Sequence, residues 1–129
     1  MNFKEAKFIF HKHYYTGRNL GKTTQERFPF SEQTYKDDDF IIEEINTSSL
    51  KPKIARPELV VSYKKTIHNL PPIFVSVGRL LTDNTVCRFQ DHTIKIMDGN
   101  HRAQAHIELG IKTITAILPL SHWRALNDS

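Results

Sequence analysis

The sequence predicts a single α+β domain, a mixed sheet with helices packed on it. Three observations carry this expectation. Short runs of strand length rich in β-branched residues recur, as in PIFVSV, TIKIM and TITAIL. Between them lie stretches with helical spacing, PELVVSYKKTIHNL and HRAQAHIEL. The chain has 129 residues, 39% hydrophobic and 25% charged, which suits one modest core.

Met1–Asp39 is polar, basic and aromatic, and reads as an N-terminal extension over residues 1–39. Within it AKFIFHKHYY (Ala6–Tyr15) is a short strand or helix whose period stays open. Thr16 to Asp39 reads as loop or a loosely packed extension. The main domain, residues 40–120, opens with FIIEEI (Phe40–Ile45) as a strand and NTSSLKP as a turn. Pro57 suits the first turn of a helix, and Glu58 is favourable near its positive end. Leu59, Val60, Tyr63, Ile67 and Leu70 should face the core, and Pro71-Pro72 stops the helix. PIFVSV is the next strand. Gly78–His92 is a long connection with a candidate short strand at Val86–Phe89. TIKIM (Thr93–Met97) is a strand that Asp98-Gly99 breaks. Gly99 or Asn100 caps the following helix, which stops at Gly110. TITAIL (Thr113–Leu118) closes the sheet, and residues 121–129 form a tail with Trp123 as its anchor.

No apolar run approaches the roughly 18 residues a membrane helix needs, and the N-terminus is too charged for a signal peptide. The single Cys87 excludes an internal disulfide and suits a reducing compartment, so a cytoplasmic protein without membrane partners is expected. The net charge of +4 and pI near 9.3 favour anionic partners, nucleotides or nucleic acid, without choosing between them.

The most informative stretch is KIMDGNHRAQAHIELG (Lys95–Gly110). It sets an imidazole and a guanidinium at the mouth of a helix, where backbone N–H groups are unpaired and the dipole is positive. Such an end holds phosphate. Gly99, Asn100, His101 and Arg102 are the candidate phosphate-binding residues; the bland alternative is a capped helix with a surface Arg. His101 is a phosphate contact, a general acid or a residue that fixes the turn. Asp98 is a base or Mg²⁺ ligand, or only a turn residue. Glu43 and Glu44 end the first strand, one inward and one outward; the inward one is a base or metal-ligand candidate, or a solvated strand end.

In order along the chain, LKP (Leu50–Pro52), the helix ending in I-H-N-L, PPIFV (Pro71–Val75) and IMDGNHRAQAHIELGIKTITAIL (Ile96–Leu118) resemble the ParB/sulfiredoxin superfamily. The resemblance spans about Ile42 to Leu118 and leaves Met1–Asp39 outside. It implies that the turn at Gly99–Arg102 wraps a phosphate of ATP, ADP or CTP, with Arg102 in direct contact. A planar guanidinium suits that contact. The chain also departs from its relatives. Sulfiredoxins carry a reactive cysteine where Asn100 stands, so sulfinic acid reduction is not expected. The free-serine kinases carry a catalytic glutamate where Lys53 stands. The chromosome-partitioning members continue into a helix-turn-helix domain, and this chain ends shortly after its last strand. Stand-alone members are also labelled ParB-like nucleases.

Other features point less clearly. GRNLGKTT (Gly17–Thr24) resembles a P-loop but has three residues between its glycines where the motif requires four. His11 and His13 lack a third ligand at suitable spacing, so no metal site is expected from them. Lys64, Lys65, Arg79, Arg88 and Lys95 form a basic face for nucleic acid or a solvated surface. The expectation is a nucleotide-binding protein that hydrolyses or transfers a phosphoryl group, with Asp98, His101, Glu43 and Glu44 as candidate catalytic residues and Mg²⁺ as a candidate ion. The alternative is a non-catalytic nucleic-acid-binding module or a nuclease. A homodimer is left open.

Overall fold

The computed structural model describes residues 1–16, 28–77 and 94–127. Its four-stranded sheet has the order β1-β4-β2-β3, formed by β1 (Phe40–Asn46), β2 (Ile73–Val77), β3 (Ile94–Asp98) and β4 (Thr113–Pro119). β1 and β4 are antiparallel, β4 and β2 parallel, and β2 and β3 antiparallel. The α+β expectation holds. β4 is central, and Ile114, Ala116, Ile117 and Leu118 are all buried. A strand covered on both faces reads as a near-continuous apolar run, which is how TITAIL looks in the sequence.

The sheet has a core on each face. On one, Ile45, Ile73, Val75, Val77, Ile94, Ile114, Ala116 and Leu118 meet Leu50 and Ala103. Ala103 comes from α4 (Asn100–Glu108), and Gly110, at φ 72°, follows the helix end. On the other face Phe40, Phe74 and Ile117 meet Phe3, Ala6, Phe10, Phe28 and Phe30. These rings pack edge-on or tilted, with Phe10–Phe74 centroids 5.6 Å apart and Phe28–Phe74 5.7 Å, the favourable geometry for ring quadrupoles.

The second core settles the open question about Ala6–Tyr15. It belongs to a helix, α1 (Phe3–Thr16), with Phe3, Ala6 and Phe10 on its inner face. The described part of residues 1–39 packs through this second core on Phe40, Phe74 and Ile117 of the sheet, leaving Ile42 and Glu44 on the same face exposed. A single-turn helix, α2 (Glu32–Tyr35), follows, with the Ser31 hydroxyl accepting from the Thr34 N–H. α3 (Pro57–Lys65) has its proline in the first turn as read, but packs mainly on α4. Of its expected core residues only Val60 is buried; Leu59, Tyr63, Ile67 and Leu70 are half-buried. The tail is a helix, α5 (Leu120–Asn127), and Trp123 and Leu126 pack against the first core. Gly17–Thr24, and Gly78–His92 with its candidate strand at Val86–Phe89, lie outside the described residues.

Candidate functional site

α4 begins where β3 ends. Gly99 occupies the N-cap position at φ 111°, a left-handed conformation that favours glycine. Space demands glycine too: a Cβ there would come 2.4 Å from Ile73 Cγ2. No side chain caps the first turn. Asn100 is the first helical residue, and both it and His101 send their side chains sideways. The Lys53 backbone N–H donates to Asn100 Oδ1 (3.0 Å), and the Arg56 backbone N–H donates to His101 Nε2 (3.1 Å). Accepting at Nε2 puts the proton of neutral His101 on Nδ1.

These two bonds fix the Lys53–Arg56 strap beside the helix mouth and bring two basic residues there. Arg56 pairs with Glu58 at 3.0 Å, both exposed. The Glu58 carboxyl is held below the usual range, first by a backbone hydrogen bond at Glu58 and then by Arg56, with His101 adding to the effect. Lys53 and Arg56 had no anion-binding role in the sequence reading. The signal available was the K-P-K-I-A-R-P pattern, a basic segment stiffened by proline at both ends.

Arg102 is turned inward and 8% exposed. Its Nη1 donates to the carbonyls of Pro71 (3.0 Å) and Pro72 (2.8 Å), and its Nη2 to Asp98 Oδ2 (2.7 Å). It thereby ties the start of β2 to the end of β3 directly beneath the Gly99 turn. Asp98 is the other half of this ion pair. The His106 ring nitrogen Nδ1 lies 2.8 Å from the Arg102 carbonyl, one turn further along the helix.

Asp98, Gly99, Asn100, His101 and Arg102 are thus gathered at one point, and the two glutamates are not. Glu43 pairs with Ala116, Ala116 with Ile73, and Phe74 with Asp98. Glu43 therefore stands across three strand spacings from Asp98, on the order of 14 Å. It is half-buried and shares the face that α4 covers. Glu44 is exposed on the opposite face, as alternation requires.

The basic face divides. Lys64 bonds Glu108 at 2.6 Å, Lys95 is exposed on β3, and Arg79 and Arg88 lie outside the described residues. Among the described residues no three His, Cys, Asp or Glu side chains converge as a metal site, and no helix is long and apolar enough to cross a membrane. No family model, curated protein or solved structure matches the chain.

Proposed function

We propose that this protein binds the phosphates of a nucleoside di- or triphosphate, ATP, ADP or CTP, at the start of α4. The observation that carries this reading is the Gly99 turn, which opens the helix without a capping side chain and with its backbone packed tightly on Ile73. The first backbone N–H groups of α4 would cradle the phosphate. Lys53 and Arg56, on the strap bonded to Asn100 and His101, would add positive charge from the side. Arg102 and Asp98 would hold the turn in shape, a supporting role for a guanidinium already engaged by three oxygens.

The same reading extends to phosphoryl transfer or hydrolysis. His101, at the second position of the helix, would steady developing charge. Exposed Lys51, Lys53 and Arg56 favour a second reading, in which a nucleic-acid backbone phosphate occupies the turn.

A thermal-shift panel of ATP, ADP, CTP and short DNA, with and without Mg²⁺, tests both readings on the wild type and on Lys53→Ala/Arg56→Ala. Both residues are exposed, so the variant keeps the fold. A nucleotide that stabilises the wild type and loses most of that effect in the variant supports the proposal. Stabilisation by DNA alone, falling with salt, supports the nucleic-acid reading. Equal stabilisation of both proteins refutes the site.

A further inference from the structure

We propose that His122 is an acid-operated latch: neutral, it ties α5 to β2 and α2, and protonated, it releases α5 from the end of the sheet. The inference is independent of the α4 site. β4 runs directly into α5, level with Val77 at the end of the parallel strand β2. There the Val77 backbone N–H donates to His122 Nδ1 at 3.2 Å, so that nitrogen carries no proton. Nε2 must carry it, and it donates to the Tyr35 hydroxyl at 3.0 Å. His122 is 5% exposed and lies against the ring of Phe30, with centroids 6.2 Å apart.

A second proton has only Nδ1 to occupy, and it would face the Val77 N–H. Protonation therefore converts a hydrogen bond into a donor–donor clash and leaves a cation among aromatic rings. The titratable groups that bear on His122 include Tyr35 of α2 and Asp38 in the turn after it, and β2 presents the Val77 backbone N–H. Burial lowers the His122 pKa, and the Asp38 carboxylate, which accepts from Ser121 Oγ at 2.7 Å, opposes this in part. Burial also raises the Tyr35 pKa, so its hydroxyl stays protonated.

The sign follows from linkage. The latched state binds the proton less well than the released state, whose histidine titrates near its ordinary value of about 6.5. The latch is at full strength above that value and weakens as pH falls from there toward the lower value of the latched state. Release gains up to about tenfold per pH unit across this window. Since α5 lies against β2 and β4 and packs Trp123 and Leu126 on the first core, release uncovers an apolar surface at the end of the sheet away from the α4 mouth.

Trp123 is the only tryptophan, so its emission and acrylamide quenching report on α5 alone. The test follows both on the full chain from about pH 8 to about pH 5, beside far-UV circular dichroism. The expected result is a red shift and stronger quenching below about pH 6.5 while the sheet signal persists. Asp38→Asn should move the midpoint to lower pH. His122→Asn keeps an acceptor for Val77 without a titrating group, so its trace should stay flat. A flat wild-type trace, a tryptophan change coincident with loss of the sheet, or an unchanged transition in His122→Asn overturns the latch. Should His122→Asn not fold, an unshifted midpoint in Asp38→Asn overturns it instead.

Discussion

Asn100→Asp separates the stability of the α4 start from its capacity to hold an anion. The Asn100 side-chain oxygen accepts the Lys53 N–H at 3.0 Å, and aspartate keeps that oxygen in place. The new charge sits at the first position of the helix. A carboxylate there stabilises by about 0.3 to 1 kcal/mol. With the usual unfolding entropy per residue, that raises Tm by about 1 to 4 °C. Toward a bound phosphate the same charge acts in the opposite sense. At about 4 Å and an effective dielectric near 20, two unit charges repel by about 4 kcal/mol, roughly three orders of magnitude in Kd. Thermal melts of the free protein and calorimetric titration with the nucleotide selected by the panel read the two effects separately. A variant that melts higher and no longer binds is the expected outcome. Nucleotide affinity equal to wild type would remove the phosphate from α4. A melt several degrees lower would show that the link to Lys53 does not run through Oδ1.

Three further variants probe the frame. Arg102→Met leaves Asp98 and two prolyl carbonyls without their donor; urea unfolding should show a loss of about 3 to 5 kcal/mol, and a loss under about 1 kcal/mol would mean the pair is not a strut. Gly99→Ala forces a methyl against Ile73 at a positive φ, for an expected loss of about 2 to 6 kcal/mol in the same assay. Phe10→Ala removes a ring buried against Phe28 and Phe74; a cost of about 3 to 5 kcal/mol marks α1 as part of the fold, and a neutral result would return it to the status of an extension.

The strands were legible because each is a short run of β-branched residues closed by breakers: Pro72 before β2, Asp98-Gly99 after β3, Pro119 ending β4. The start of α4 was legible for the same reason. α1 was not, because it has no single apolar stripe. Phe3 and Phe10 are buried while Phe8, between them, is 68% exposed, and a period blurred in this way fits strand or helix equally. α5 looked like a tail because what secures it is remote: His122 meets Val77 and Tyr35, 45 and 87 positions away. At the candidate site, the residues that converge at the turn could be read from its local motif, while the strap could not. Its bonds join Lys53 to Asn100 and Arg56 to His101, 47 and 45 residues apart. Arg102 teaches a finer lesson. Its residue type suggested an anion ligand, yet Asp98 stands four positions before it, the spacing at which opposite charges near a helix meet. That local partner is visible in the sequence.

The central place of β4 also decides when this protein can fold. β4 enters the sheet between β1 and β2, pairing Phe40 with Pro119 and Asn46 with Thr113. Until it arrives β1 has no partner strand, and the β2–β3 pair stands apart. Closing such distant pairs costs chain entropy before any contact repays it, and chains of this topology fold slowly for their size. During synthesis, β1 emerges before β4 and waits until residues 113–119 arrive, with Ile41 and Ile45 uncovered. This interval, rather than any weakness of the finished sheet, is where aggregation competes with folding.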